Sequence, residues 1–374
     1  MPTLDWITIK GFKSIAAIER LPLRAINLVI GANGSGKSNF LGAFSLLHAL
    51  REGRLQEYVA RAGGANQVLH FGLKQTPELV LDISFAGGIN RYEVALIPTA
   101  SDSLVPKPLS ERGWYWNSSR FPSPGSFEIT GGGLEAGICT EQTTGVGGYV
   151  RERLTRWRTY HFHDTSALSP MKQTADLADN RFLRSDGSNL ASFLYLLKSQ
   201  HAEAYGMIRS TVQRVAPFFD DFQLQPQLLN TAKIRLEWRH IGTDAYFDAS
   251  SFSDGTLRFI ALATLLLQPE SLRPSVILID EPELGLHPYA ITMLAALIQQ
   301  ASVKTQMVVS TQSPQLLDNF EPEDVLVAER VSGGTQLKRL ENDALASWLE
   351  TYGLGQLWEK NELGGRPAGE TPRA

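Results

Sequence analysis

Cysteine is almost missing from this chain, and a membrane-spanning run and an export leader are missing altogether. Cys139 is the single cysteine in 374 residues, so no disulfide can form within the chain. The longest apolar run, Phe259 to Leu267, is far shorter than the roughly 20 residues that a membrane helix needs. The N-terminus enters a predicted strand without a basic-then-apolar leader. These absences favour a cytoplasmic protein with no membrane contact.

Strong net charge is also missing, because the formal charge is only -4. The whole chain therefore exerts no overall attraction on nucleic acid, although a local basic patch remains an alternative. One such patch is the run Arg151, Arg153, Arg156 and Arg158, with Trp157 inside it. This run can contact the phosphates of DNA or RNA, or it can be a solvated amphipathic helix, which is the more common case.

The clearest motif is a glycine-rich loop, Gly31 to Ser38, between a predicted strand at 26–30 and a predicted helix at 39–50. Its glycines let backbone N–H groups face phosphate oxygens, and the helix presents its positive end. Lys37 would reach the β and γ phosphates, and the Ser38 hydroxyl would hold Mg²⁺. The alternative, a glycine-rich turn that binds nothing, does not explain the strand and helix on either side. The predicted phosphate contacts are Asn33, Gly34, Ser35, Gly36, Lys37, Ser38 and Asn39.

A second motif is the apolar run from Val276 to Ile279, which ends in two acids. An all-apolar strand indicates burial on both faces and hence a central parallel strand. Asp280 at its carboxyl end can hold Mg²⁺ through water, and Glu281 can orient or deprotonate an attacking water. The alternative is a solvated acidic turn, which would be favoured if the chain lacked the phosphate loop.

A third motif, Ser253-Asp254-Gly255-Thr256, begins a predicted apolar helix. Taken alone, it is a helix start with Ser253 as the N-cap. Its position in the chain is more informative, because it follows the phosphate loop after a long separation and precedes the acidic strand.

The ordered set of motifs resembles the head domain of ABC-type ATPases, in the branch that contains RecF, the SMC proteins and the OLD-type ATPases. Within that branch the chain is most similar to stand-alone predicted ATPases of bacteria, over about residues 4–350. The segments that carry the resemblance are Phe12-Lys13-Ser14-Ile15, Gly31 to Asn39, Ser253 to Thr256, Asp280 to Pro288 and Ser310 to Pro314.

The resemblance implies an α/β P-loop NTPase fold. The expected head has a central, mainly parallel sheet, an antiparallel β subdomain and a short helical insertion instead of a coiled coil. It also implies ATP and Mg²⁺ as cofactors, with Lys13 and Ser14 among the nucleotide contacts. Two heads would enclose two ATP molecules, and Ser253, Asp254, Gly255 and Thr256 of one copy would contact the γ-phosphate held by the other. The loop from Glu283 to His287 would line that dimer interface, and His287 is either functional or structural.

The chain departs from the family pattern at two places. Gln312 occupies the place of the usual switch histidine; it can donate a hydrogen bond but cannot carry a proton, so we expect slow hydrolysis. The glutamine that normally contacts Mg²⁺ is not evident, and His163 or Asp164 is the candidate substitute. His161 and His163 share one face of a predicted strand, but two histidines alone make a weak metal site, and a half-buried strand with a polar face is an equal alternative.

Segment lengths predict the domain organisation. The expected divisions are an N-terminal lobe at 1–165 with a loop-rich excursion at 98–148, a helical insertion at 166–245, a C-terminal lobe at 246–350, and a C-terminal segment at 351–374 with a disordered tail. The insertion shows no coiled-coil heptads. Only about 40 residues follow Glu329, too few for a nuclease domain.

The sequence is compatible with three functions. The leading one is a dimeric ATP-driven switch that regulates or recruits a partner protein encoded nearby, such as a nuclease or toxin in anti-phage defence. The second is a RecF-like DNA-binding ATPase in DNA repair. The third, a small-molecule kinase, is disfavoured by the signature helix and by the long separation between the phosphate loop and Asp280.

Overall fold

The protein is described here by a computed structural model, which covers residues 4–131, 133–140 and 145–365. Its strands are β1 (Trp6–Phe12), β2 (Ile15–Pro22), β3 (Ile26–Ile30), β4 (Leu79–Phe85), β5 (Asn90–Pro98), β6 (Leu104–Pro106), β7 (Arg112–Tyr115), β8 (Gly125–Glu128), β9 (Trp157–Tyr160), β10 (Ala175–Asp176), β11 (Phe219–Gln223), β12 (Pro226–Gln227), β13 (Asn230–Ile234), β14 (Glu237–His240), β15 (Tyr246–Asp248), β16 (Val276–Asp280), β17 (Gln306–Thr311), β18 (Val325–Val331) and β19 (Gly334–Arg339).

Its helices are α1 (Lys37–Glu52), α2 (Leu55–Arg61), α3 (Ala65–Val68), α4 (Gly145–Thr155), α5 (Leu190–Gln200), α6 (Ala202–Val215), α7 (Asp254–Leu267), α8 (Pro288–Ser302), α9 (Pro314–Leu317), α10 (Asn342–Leu349) and α11 (Leu354–Lys360). Across the described ranges, no helix is both long and apolar enough to cross a membrane.

The chain divides into two units. Unit 1 comprises the described residues of Met1–Trp157, Gln306–Gln312 and Glu321–Ala374. Unit 2 comprises Arg158–Thr305 and Ser313–Phe320.

Unit 1 contains an antiparallel sheet in the order β2-β1-β4-β5-β7-β8, with β6 paired to β5. Apolar residues alternate along β1 and β4 and fill the core beneath this sheet, as in Ile7, Ile9, Leu81 and Ile83. The alternation explains why these segments form strands of a sheet with one covered face. The sheet is the antiparallel β subdomain that the resemblance implies.

Unit 1 also contains the strands that position the phosphate loop. β3 lies between β17 and β18 and is parallel to both, while β19 pairs antiparallel with β18. Every residue of β3 and β17 is buried, as expected for strands covered on both faces. Helix α1 follows β3 and contacts β17, so the strand–loop–helix unit is built around one core.

Unit 2 is organised around helix α7, whose residues from Leu257 to Leu267 are all buried. A helix that is apolar on all sides must be surrounded, and α7 packs against both α6 and α8. The buried strand β16 is hydrogen-bonded to β9, which lies at the start of this unit. Two small sheets complete the unit, in the orders β10-β13-β12 and β11-β14-β15.

The insertion at 166–245, whose apolar residues have the spacing of helices, also contains several short strands. Helices α5 and α6 have the expected apolar faces, but short strands precede and follow them. The alternation of apolar and charged residues over 233–239 predicts a single strand. The structure divides this segment, because β13 and β14 belong to different sheets. Of the predicted disordered tail from Gly364, residues 366–374 lie outside the described part of the chain.

Candidate functional site

The phosphate loop connects the carboxyl end of β3 to the first turn of α1. Gly36, immediately before α1, has a φ of 105° and precedes a helix of 16 residues. A Cβ at this position would lie 2.0 Å from Oγ1 of Thr335, so only glycine fits here. The loop therefore packs closely against β19. Its last residues lead into the N-terminus of α1, where backbone N–H groups can stabilise an anion.

Lys37 and Ser35 give this loop the features of a phosphate cradle. The Lys37 amine is buried and donates hydrogen bonds to the carbonyl oxygens of Gly31 at 2.7 Å and Ala32 at 3.1 Å, so it spans the loop. The Ser35 hydroxyl is buried and has no hydrogen-bond partner among the described residues. A buried polar atom without a partner, beside a lysine and a helix N-terminus, fits a ligand rich in hydrogen-bond acceptors such as a nucleotide phosphate.

A network of hydroxyl and amide groups supports the loop from behind. Ser14 Oγ lies 2.7 Å from Thr335 Oγ1 and accepts a hydrogen bond from the Asn39 amide at 2.8 Å. Thr335 Oγ1 in turn donates to the Ser35 carbonyl oxygen at 2.8 Å. Ser14 and Asn39, two predicted nucleotide contacts, thus also hold the loop in shape. Sequence reasoning missed Thr335, since no motif marks it and it lies 300 residues from Ser35.

Lys13 precedes this network in an uncommon backbone conformation. Its φ is 47°, in the left-handed region, and burial lowers the pKa of its amine. Its amine lies 5.5 Å from the centre of the Phe12 ring. A strained residue next to the phosphate loop is consistent with a functional position, but its contact with nucleotide stays a prediction.

Gln312 lies at the same edge of the sheet as the phosphate loop. In the register of the parallel strands, Thr311 of β17 is opposite Ile30 of β3. Gln312 and Gly31 therefore follow directly from two neighbouring carboxyl strand ends, where ligands bind in α/β sheets. The register brings the predicted switch residue to this edge, and its catalytic role stays a prediction.

In unit 2 the end of β16 carries the predicted acids. Asp280 is half-buried at the strand end, and Glu281 follows with a φ of 42°, unusual for a residue with a side chain. Such strain tends to occur at functional sites, because the rest of the fold must enforce it. The Asp280 carboxylate lies within 4.8 Å of ring nitrogens of both His161 and His163. Partial desolvation by the surrounding protein atoms lowers the pKa of the His161 ring, although the residue is exposed overall. The Asp280 carboxylate opposes this shift and His163 reinforces it.

Arg258 fixes the segment that carries these histidines. Its guanidinium donates to the carbonyl oxygens of Phe162 at 2.9 Å and His163 at 3.0 Å. The Arg258 side chain is buried, and desolvation lowers its pKa. No sequence motif predicts this role for Arg258, which lies in a mainly apolar helix. The single arginine within that apolar run was the one feature that could have indicated a buried polar contact.

The predicted signature residues form the start of α7. Ser253 is the N-cap, and its hydroxyl accepts a hydrogen bond from the Thr256 N–H at 3.2 Å. Ser253 and Asp254 are exposed. A Cβ on Gly255 would lie only 2.2 Å from the Gly285 carbonyl oxygen, so glycine is required where the helix start meets the loop after β16.

That loop, from Glu283 to His287, leads into α8. Leu284 exposes 42% of its surface and Tyr289 exposes 50%. His287 is the N-cap of α8, and its Nδ1 accepts a hydrogen bond from the Tyr289 N–H at 3.3 Å. The histidine therefore has a structural role, while a functional role remains a prediction.

Asp164 and the basic run are the remaining candidates from the sequence. Asp164 is exposed, and its carboxylate accepts a hydrogen bond from the Ser166 N–H at 3.0 Å. Hydrogen bonding from the Ser166 side chain, and secondly from its backbone, lowers the pKa of Asp164. In the basic run, Arg151 and Arg153 lie on α4. Trp157 is 1% exposed and packs on Phe44, so its side chain is not open to contact with nucleic acid. The Arg158 guanidinium lies over the Phe182 ring at 4.9 Å.

The residues fit Mg²⁺ as well as a nucleotide. The Ser38 hydroxyl lies in the first turn of α1, and the Asp280 carboxylate ends β16. Each is an oxygen donor, the type that Mg²⁺ prefers, and their role as Mg²⁺ ligands stays a prediction. A bound Mg²⁺ would neutralise charge on the β and γ phosphates.

The fold is similar to solved SMC heads. One is described as "Crystal structure of the SmcHead bound to the C-winged helix domain of ScpA"; it has 15% identity and a TM-score of 0.60 over 92% of this chain and all of that one. Another is an Smc head domain with an extended coiled coil bound to the C-terminal domain of ScpA, derived from Pyrococcus furiosus. It has 15% identity and a TM-score of 0.57, with coverage of 94% and 99%.

At these identities the structures establish the fold alone, and the α/β SMC-head fold expected from the motifs is confirmed. Among curated proteins, none matches this chain. The sequence does match a family model over residues 26–119 and 149–318, which include the phosphate loop and Asp280. The chain therefore belongs to the family described as "AAA domain, putative AbiEii toxin, Type IV TA system", and its fold is that of an SMC-type ATPase head.

Proposed function

We propose that this protein is a slow ATPase that works as a dimeric switch: two copies close around ATP, and hydrolysis releases them. The observation that carries the proposal is the exposed start of α7. Ser253 and Asp254 are exposed, and Gly255 lies against the loop of Gly285, beside the exposed Leu284. A helix N-terminus that is capped but open to solvent can receive a phosphate from outside its own chain.

Hydrolysis would use residues from both motifs. The Glu281 carboxylate would accept a proton from a water as that water attacks the γ-phosphorus, and ADP would leave with the bridging oxygen. Lys37 and the N–H groups at the start of α1 would stabilise negative charge on the phosphates. Gln312 would donate a hydrogen bond to the γ-phosphate but could not exchange a proton with it, so turnover would be slow.

The switch would act on another protein. The family description names a putative toxin of a type IV toxin–antitoxin system. The solved relatives are described as bound to domains of ScpA. By analogy, this chain would regulate or recruit a protein encoded nearby, in a defence setting such as the restriction of phage. A RecF-like ATPase that binds DNA directly is the alternative, supported by the arginines near α4.

Glu281→Gln tests the dimer. The amide keeps the size of the side chain but cannot take a proton, so ATP should bind without being hydrolysed and the closed dimer should accumulate. Sedimentation velocity with saturating ATP and Mg²⁺ should show a doubled mass for Glu281→Gln and a monomer without nucleotide. Glu203→Gln, an exposed change on α6, is the matched control and should behave as the unchanged protein. A Glu281→Gln protein that binds ATP yet stays monomeric would refute the dimeric switch.

A further inference from the structure

We propose that His161, His163 and Asp280 form a binding site for a first-row divalent transition-metal ion of the Zn²⁺, Co²⁺ or Mn²⁺ type. A ring nitrogen from each histidine and a carboxylate oxygen from Asp280 all lie within 4.8 Å of one another. Both histidines are exposed and Asp280 is half-buried, so an ion can reach the three groups from solvent. The sequence alone offered only two histidines on one face; the fold supplies the third ligand.

The chain holds the two histidines in a defined backbone geometry. Phe162, between them, is buried, which directs its two neighbours to the opposite face. The His161 N–H donates to the Ser185 carbonyl oxygen at 2.8 Å, and Arg258 holds the next two carbonyl oxygens. These contacts fix the backbone before any ion arrives, so little conformational entropy is lost when an ion binds.

The third ligand is fixed by different means. Asp280 ends a buried apolar strand, and the chain turns sharply at Glu281, whose φ is 42°. Arg258 and Asp280, together with Phe162 and Pro282, line one small cleft. The cleft is therefore lined both by Arg258, which holds the histidine segment in place, and by the Asp280 carboxylate.

The distances need only a small adjustment. Ligands about 2.1 Å from a tetrahedral Zn²⁺ lie roughly 3.4 Å from each other. The three ligand atoms lie at most 4.8 Å from one another, so side-chain rotations that bring a pair at most about 1.4 Å closer together reach this separation. The two rings, whose planes differ by 30° and whose centres are 6.3 Å apart, have room for an ion between their nitrogens.

The donor set selects the class of ion. Two imidazole nitrogens and one carboxylate oxygen suit Zn²⁺, Co²⁺, Mn²⁺ or Fe²⁺, whereas Mg²⁺ and Ca²⁺ prefer oxygen ligands throughout. Three protein ligands leave at least one coordination position for water or a phosphate oxygen. The site would thus be an open metal site rather than a closed structural one.

This inference shares Asp280 with the proposed ATPase but does not depend on nucleotide. The test therefore uses the full-length chain without an affinity tag, treated with chelator, in the absence of ATP. Co²⁺ is the probe, because nitrogen and oxygen ligands give it visible absorption bands, and equilibrium dialysis with metal analysis gives the stoichiometry. We expect a single Co²⁺ per chain, displaced by Zn²⁺ but not by millimolar-range Mg²⁺.

The variants isolate the ligands. His161→Gln and His163→Gln should each weaken Co²⁺ binding by roughly tenfold or more, and the double variant should abolish the absorption bands. His201→Gln, at the start of α6 in the same unit, is the matched control and should bind as the unchanged protein. Circular dichroism checks that each variant is folded, and the two single variants keep the test valid if the double variant is unstable.

Two results would overturn the proposal. One is a folded double variant that binds Co²⁺ as tightly as the unchanged protein, and the other is an unchanged protein that takes up no Co²⁺. An ATPase assay with Mg²⁺ on the same preparation separates this outcome from the proposed function. ATP hydrolysis by a protein that binds no Co²⁺ would refute the transition-metal site but not the proposed ATPase activity.

Discussion

Thr335 shows how a single residue outside every motif can shape the phosphate loop. Its hydroxyl contacts both Ser14 Oγ and the Ser35 carbonyl oxygen, and it occupies the space that a Cβ on Gly36 would need. A residue of β19 therefore holds the loop in the shape that we propose binds phosphate. Binding groups that are held in place in advance lose less entropy when the ligand arrives.

Thr335→Val should therefore weaken ATP binding while leaving the fold intact. The change removes a buried hydroxyl with two partners, which we expect to lower the free energy of unfolding by about 1–3 kcal/mol. Nucleotide affinity, measured by calorimetry, should fall about tenfold, which corresponds to about 1.4 kcal/mol. Lys37→Ala should lose more affinity, because it removes the amine that we propose contacts the phosphates and that now donates to the Gly31 carbonyl oxygen.

Thr264→Val is the matched control for that measurement. Thr264 is fully buried in α7, and its hydroxyl donates to the Ile260 carbonyl oxygen of the same helix. It should lower stability without changing ATP affinity. Equal loss of affinity in Thr335→Val and Thr264→Val would show that general destabilisation, rather than the loop contacts, is responsible.

At the scale of elements, the junction between α7 and the loop after β16 determines the shape of the signature. The Gly255 backbone lies against the Gly285 carbonyl oxygen, so the helix start and the loop form one rigid corner. Ser253 then caps the helix through the Thr256 N–H. The proposed γ-phosphate contact depends on this corner, since both elements must keep their relative position.

Gly255→Ala should push the start of α7 and the loop after β16 apart. The added Cβ would lie 2.2 Å from the Gly285 carbonyl oxygen, so the backbone must move, and we expect a loss of about 1–3 kcal/mol in the free energy of unfolding. Gly206→Ala in α6 is the control. Apart from its chain neighbours and the backbone of its own helix, no heavy atom of the described residues lies within 4 Å of the added Cβ, and the change should stabilise the helix by about 0.5–1 kcal/mol. Urea unfolding distinguishes the two, and equal stability of Gly255→Ala and the unchanged protein would contradict the rigid corner.

The glycine- and proline-rich excursion at 98–148 is another element that the surrounding structure organises. Its short strands β7 and β8 extend the antiparallel sheet. The buried Glu111 carboxylate accepts hydrogen bonds from the Tyr92 hydroxyl at 2.9 Å and from the N–H groups of Gly137 at 2.7 Å and Ile138 at 2.8 Å. A buried carboxylate with three donors connects this stretch to the sheet, where composition alone predicts either a long loop or an excursion with short strands.

At the scale of the whole molecule, charge distinguishes the switch from the DNA-repair alternative. The net charge is -4, and Trp157 is buried, so the arginine run lacks its aromatic partner for nucleic acid. A duplex that bound through phosphate contacts would make binding strongly dependent on salt.

We therefore expect duplex DNA to leave the steady-state ATPase rate unchanged. The measurement is phosphate release at low and physiological salt, with and without a long duplex. Arg151→Glu/Arg153→Glu is the informative variant, because it reverses the charge of the two arginines on α4. The RecF-like function would be favoured instead if DNA raised the ATPase rate, and if both the double variant and higher salt removed that increase.

The sequence by itself determined the local parts of this protein. Strand β3, the glycine loop and helix α1 follow from neighbouring residues, and so do the buried strand β16 and the Ser253 cap, because backbone conformation and periodicity are set by residues close in the chain. The order of these motifs was enough to predict an ABC-type head.

Only the tertiary structure decided which distant side chains meet. It placed Thr335 behind the phosphate loop, Arg258 on the backbone of the histidine segment, and Asp280 beside His161. It also buried Trp157 and divided the strand predicted at 233–239 between two sheets. The physical reason is that such contacts depend on how separate elements pack, and packing distances between residues far apart in the chain leave no spacing pattern in the sequence.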